Sequence, residues 1–184
     1  MLSTGDRRYR GFPTVTSKFT GATRLPSVLV VRKDDPATCL ADLAGASFAY
    51  LNSSCTSSYF ALAILLRGLG LSLRDVTLQP TTPRQGQIDA VTAGDMRATV
   101  VLEDVWKTTP ANAETTKIIG RYDDATGALI VVRDGIEESF LRTLLDALVA
   151  WQPTPDAVYG GFTPFVESDV ARFFADLDTL PVTL

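Results

Sequence analysis

The sequence predicts an α/β protein built on a mostly parallel sheet. Short β-branched runs alternate with stretches of helical spacing, glycines close several of the helical stretches, and turn-forming residues separate the segments. With 184 residues, 46% hydrophobic and 21% charged, the chain can form one ordinary domain or a pair of small lobes around a normal core.

Residues 1–26 are rich in Thr, Gly, Arg and Pro without sustained periodicity, which predicts extended or loop structure packed on something else. The run SVLVVR (residues 27–32) predicts a buried strand, ended by Lys33-Asp34-Asp35-Pro36. LADLAG (40–45) is one helical turn closed by glycine, and SFAYL (47–51) a second strand. The polar cluster Asn52-Ser53-Ser54-Cys55-Thr56-Ser57-Ser58 then opens a helix over residues 56–67, stopped at Gly68-Leu69-Gly70. A strand at 76–79, a helix at 84–93 closed by Gly94 and a strand at 97–102 repeat the alternation. A short helix at 103–107 and a strand at 116–119 follow. The run ALIVV (128–132) mirrors 27–32, since both end at an arginine, Arg32 and Arg133, before acidic residues. The two are expected side by side, carrying the chain into and out of one lobe. Helix 137–151 places Leu141, Leu144, Leu145 and Leu148 on one face. A loop with Pro153 and Pro155 and a helix at 167–175 complete the chain, which has no internal repeat.

A net charge of −4 argues against nucleic-acid binding, which requires a basic face to displace counterions from phosphates. Histidine is absent, which removes the commonest general base and metal ligand together with Ser-His and Cys-His nucleophile pairs. Two cysteines alone cannot complete a zinc site, so no metal, no cofactor and no enzymatic activity are expected. Cys39 and Cys55 are expected to be free thiols. The N-terminus lacks the apolar stretch of a signal peptide, and no segment offers the ~20 uninterrupted apolar residues needed to cross a bilayer.

The start of helix 56–67 is the principal candidate site. Helix N-termini carry unsatisfied N–H groups and partial positive charge, so the hydroxyl-rich residues Ser54, Cys55, Thr56 and Ser57 can cradle an oxyanion. The bland alternative is that they cap the helix. Three donors to a charged group contribute roughly 5–9 kcal/mol gross, whereas micromolar binding needs about 8 net, so a second surface must close over the ligand. Cys55 can also be read as a nucleophile, but no histidine is there to activate it. There is no Gly-Lys-Ser/Thr loop for nucleotide hydrolysis. Arg84 heads the next helix, where its guanidinium can fork onto an oxyanion or lie on the surface. Glu103, Asp104 and Trp106 follow a strand's C-terminal end, where open parallel sheets bind ligands; a solvated helix start explains the acids equally well. Tyr50 and Tyr59 flank the polar loop, as ligand contacts or as core aromatics.

The segments SVLVVRKDDPATCLADLAGASFAYLNSSCTSSY, PRQGQIDAVTAGDMRATVVLEDVW, IIGRYDDATGALIVVRDGI and GGFTPFVESD resemble the phosphonate-, phosphite- and phosphate-binding components of ABC importers, from about residue 26 onward. The resemblance implies a type II periplasmic-binding fold, a small phosphorus oxyanion as ligand, a transporter permease as partner, and a periplasmic or extracytoplasmic location. It places the family's Ser-Thr-Ser grip at Cys55, Thr56 and Ser57, with the first serine replaced by cysteine. Arg84 stands where the family commonly has histidine, and Leu102 where it has an acid. It also implies one complete lobe over residues 34–120, with 1–33 and 121–184 forming hinge strands and part of a second lobe whose opening units residues 2–26 are too short to supply. Two other readings stay open: a ligand-sensing effector domain like that of LysR-type regulators, and a truncated relative that binds nothing.

Overall fold

The computed structural model describes residues 2–4 and 7–180, with side chains from residue 10 onward. In chain order the first half comprises β1 (Leu2–Thr4), β2 (Arg7–Thr16), β3 (Ser27–Arg32), β4 (Ser47–Tyr50), a π turn (Thr56–Phe60) continuing into α1 (Ala61–Arg67), and β5 (Thr77–Pro80). Then come α2 (Arg84–Ala93), β6 (Ala98–Leu102), α3 (Glu103–Thr108), α4 (Asn112–Thr115), β7 (Thr116–Tyr122), β8 (Leu129–Arg133), α5 (Glu138–Ala150), β9 (Gly161–Pro164) and α6 (Glu167–Asp178).

Two sheets organise these elements. The larger has the order β5-β4-β6-β3-β7; β4 runs parallel to β5 and β6, while β3 is antiparallel to both β6 and β7. Four strands therefore share one direction and β3 opposes them, so the mostly parallel sheet is mixed. β3 explains its own sequence: Val28 to Val31 are all buried because both faces of the sheet are covered. Leu29 and Val31 pack with Phe48, Leu62, Leu66 and Phe173 on one face, and Val28 and Val30 with Ile88, Val101 and Val105 on the other. Each such side chain contributes about 1.5–3 kcal/mol by leaving water.

The smaller sheet is antiparallel throughout. β2 lies between β8 on one side and β1 and β9 on the other, and α5 packs over β9 and β2. Of the extended or loop structure expected for residues 1–26, residues 7–16 thus take the extended form, as a ten-residue strand. Gly11 belongs there because a Cβ would stand 2.4 Å from the ring of Phe165.

The pairing of 27–32 with 128–132 does not form. β3 lies between β6 and β7, whereas β8 pairs with β2 in the other sheet. Similar β-branched composition drives both into sheets but does not choose the partner, which is set by register and chain direction. A lobe boundary at 34 would also cut β3 away from the sheet that holds it, whose hydrogen bonding spans residues 27–122. The chain passes between the sheets twice, and the two passages touch at a bridge between Arg24 and Thr126 and at the bond from Leu25 N–H to the Ala125 carbonyl, 2.9 Å. α6 returns to the larger sheet, where the Tyr122 hydroxyl donates to Asp176 at 2.9 Å. Among the described residues no helix is long and apolar enough to cross a membrane, and no group of three or more His, Cys, Asp or Glu side chains is placed to hold a metal ion.

Candidate functional site

The helix after β4 begins with a wide turn. The N–H groups of Tyr59 and Phe60 both donate to the Cys55 carbonyl, and that of Ala61 to the Thr56 carbonyl. The N–H groups of Thr56 and Ser57 find no acceptor among the described residues, while that of Ser58 faces the Cys55 sulfur, so two donors stand at the positive end of a helical segment running to Arg67. Ser57 is 2% exposed and its Oγ lies 3.4 Å from Cys55 Sγ. The Thr56 hydroxyl donates to the Thr126 carbonyl at 3.3 Å, and Ser58 Oγ accepts from Leu51 N–H at 3.2 Å. Ser54 sits on the exposed rim, its N–H and hydroxyl both donating to Asn52 Oδ1.

Arg84, the first residue of α2, reaches this turn. Its Nη1 is 3.3 Å from Ser57 Oγ and 3.8 Å from Cys55 Sγ, and no carboxylate among the described residues pairs with it. Burial pushes the Cys55 thiol pKa up, but the hydroxyls of Ser57 and Ser58 and the Arg84 charge outweigh it, leaving the pKa below its ordinary value. Both cysteines are free, Cys39 exposed and Cys55 buried.

Cys55, Thr56 and Arg84 line a cleft of about 390 Å³, closed on the far side by Thr126 and Gly127 of the second passage, by Tyr159, and by Phe174 of α6. Gly127 fits because a Cβ there would lie 2.2 Å from Leu25 and 2.4 Å from Val15. Arg84 also borders a smaller hollow of about 290 Å³ with Asp156 and Val158.

The structure therefore brings Ser54, Cys55, Thr56, Ser57 and Arg84 together. It does not bring Tyr59 or Glu103 to them. Tyr59 packs against Tyr50 with ring centroids 5.5 Å apart and lines a different hollow of about 680 Å³ beside Arg67 and Arg74. Glu103 is held by Arg121 at 2.7 Å and Lys107 at 3.1 Å. Burial pushes its carboxyl pKa up, but those two cations pull it below the ordinary value. Asp104, 4% exposed, accepts from Lys18 N–H at 3.0 Å and fastens the first passage, and the Trp106 indole donates to Thr116. Leu102 is buried in the core. Thr126, Gly127, Tyr159 and Phe174 were invisible as site residues in the sequence, for only the topology draws them to the cradle.

The geometry can be set beside known proteins. The family model described as "ABC transporter, phosphonate, periplasmic substrate-binding protein" matches residues 4–170. The chain belongs to that family. A search of curated proteins finds no match. Among solved structures, this phosphonate-family chain is similar to XAC2383 from Xanthomonas citri bound to chloride (TM-score 0.71, 18% identity, covering 92% of this chain and 70% of that one). It is also similar to PhnD1 from Prochlorococcus marinus in complex with methylphosphonate (TM-score 0.67, 14% identity, 91% and 72% covered). A third is the periplasmic aliphatic sulphonate-binding protein SsuA from Escherichia coli (TM-score 0.63, 16% identity, 92% and 63% covered). At these identities the likeness shows the fold, and the fold is of the type II periplasmic-binding kind. The chain spans between 63% and 72% of the length of these three proteins.

Proposed function

We propose that this chain is a non-enzymatic solute-binding component of an ABC importer, acting in the periplasm and delivering a small phosphorus oxyanion (a phosphonate, phosphite or phosphate) to a permease. The larger sheet supports the cradle, and the passages between the sheets with α6 supply the facing wall. The observation that carries the reading is Arg84: a guanidinium with no carboxylate partner among the described residues, 3.3 Å from Ser57 Oγ, beside the N–H groups of Thr56 and Ser57, which find no acceptor there. A cation and a helix start that converge on a cleft without acidic lining favour an anion there. Membership of the family supports a phosphorus centre, and the likeness to a sulphonate-binding protein makes sulfonates the competing ligand class.

Calorimetric titration with methylphosphonate, phosphite, phosphate and ethanesulfonate tests this. Micromolar binding of a phosphorus oxyanion, lost in a Thr56→Ala, Ser57→Ala double variant, is the expected result. Tighter binding of ethanesulfonate moves the ligand to the sulfonate class, and no heat with any of the four ends the reading.

A further inference from the structure

The lining of the cleft is of two chemical kinds. Thr56, Cys55 and Arg84 are polar and cationic, while Phe60, Leu129, Phe174 and Leu177 are apolar. These four are each only half-buried, so they present apolar surface to water inside the cleft, backed by the fully buried Val170 and Phe173. No acidic side chain is among the residues that line this cleft. Glu103, the acid nearest in sequence to the strand end, is instead committed to Arg121 and Lys107.

We infer that the cleft selects an oxyanion carrying an uncharged apolar chain, an alkylphosphonate of several carbons, over both the bare inorganic anion and an aminoalkylphosphonate. This rests on the cradle reading above and adds the class of the ligand's other end. The anionic head meets the donors of the Thr56 turn and Arg84, and the alkyl chain covers the apolar surface of Phe60, Leu129 and Phe174, displacing water from it. An ammonium on the chain would lose its hydration against that wall with no carboxylate to receive it. A bare phosphate or phosphite would leave the wall wet.

The test compares methylphosphonate, butylphosphonate and 2-aminoethylphosphonate by calorimetry on the full chain. Each buried methylene is worth about fourfold in affinity, so butylphosphonate is expected to bind at least about tenfold tighter than methylphosphonate, with 2-aminoethylphosphonate the weakest. In Phe174→Ala the butyl-to-methyl preference should fall to within about threefold. Leu129→Ala, which truncates the same apolar lining from β8, gives the same readout should the first variant melt early. If the native chain shows no butyl preference, or binds the aminoethyl compound as tightly, the inference is overturned while methylphosphonate binding leaves the cradle intact. A butyl preference that survives both variants also overturns it, and no binding of any of the three overturns inference and cradle together.

Discussion

Arg84 and Arg121 are both arginines beside a helix start, and their surroundings differ in kind. Arg121 meets two carboxylates, Glu103 at 2.7 Å and the neighbouring Asp123, and Lys107 adds a second cation to Glu103. That cluster is internally neutralised and joins β7 to α3. Arg84 meets a thiol and a hydroxyl, neither of which carries a full negative charge in its ordinary state. An arginine balanced by carboxylates does structural work at the surface, where such pairs contribute at most about 1 kcal/mol. One facing only neutral donors and acceptors retains its field for an incoming anion. The contrast separates a scaffold from a site more sharply than residue type does.

The largest effect expected is on the cradle itself: Thr56→Ala with Ser57→Ala should weaken methylphosphonate binding about 100-fold or more by calorimetry, as two charge-assisted hydrogen bonds are lost. Arg84→Met should cost about 10- to 100-fold, and Arg121→Met should leave affinity unchanged; equal losses from both would erase the distinction between the two arginines. A smaller effect concerns Cys55. Its pKa is lowered, so thiolate forms before an ordinary thiol would ionise, takes Arg84 as counter-ion and repels the ligand. Affinity should therefore fall a few-fold as pH rises towards 9, and Cys55→Ser should flatten that profile. The smallest concerns Glu103, whose carboxyl pKa is depressed in the folded chain. Its stabilisation is present above the ordinary carboxyl range and is lost as pH falls through the folded value. The melting-temperature gap between the native chain and Glu103→Gln should thus be small at neutral pH, corresponding to under about 1 kcal/mol, and should close on acidification.

Local signals made much of the larger sheet legible. The helix expected at 84–93 is Arg84–Ala93, because Thr-Thr-Pro before it and Gly94 after it, at φ 84°, punctuate it on both sides. β3 announced itself by a continuous apolar run, the mark of a strand covered on both faces. β2 did not: Gly11 and Pro13 interrupt it, and its register shifts between Gly11 and Thr14, so no alternation survives to be read. β9 is four residues beginning at a glycine and ending at a proline, too short for any period. The same division holds at the site. The hydroxyl cluster at 54–58 is contiguous and visible, whereas Thr126 and Phe174 arrive from 70 or more positions away through pairings that composition does not encode.

Thr56 carries a further consequence. Its hydroxyl has one hydrogen, and here that hydrogen points to the carbonyl of Thr126, in the passage that bridges to Arg24. An acceptor oxygen of a bound oxyanion can take this hydrogen only by taking it from Thr126. A hydrogen bond from this hydroxyl to a bound acceptor oxygen and the tether on the passage between the sheets are therefore alternative uses of one proton.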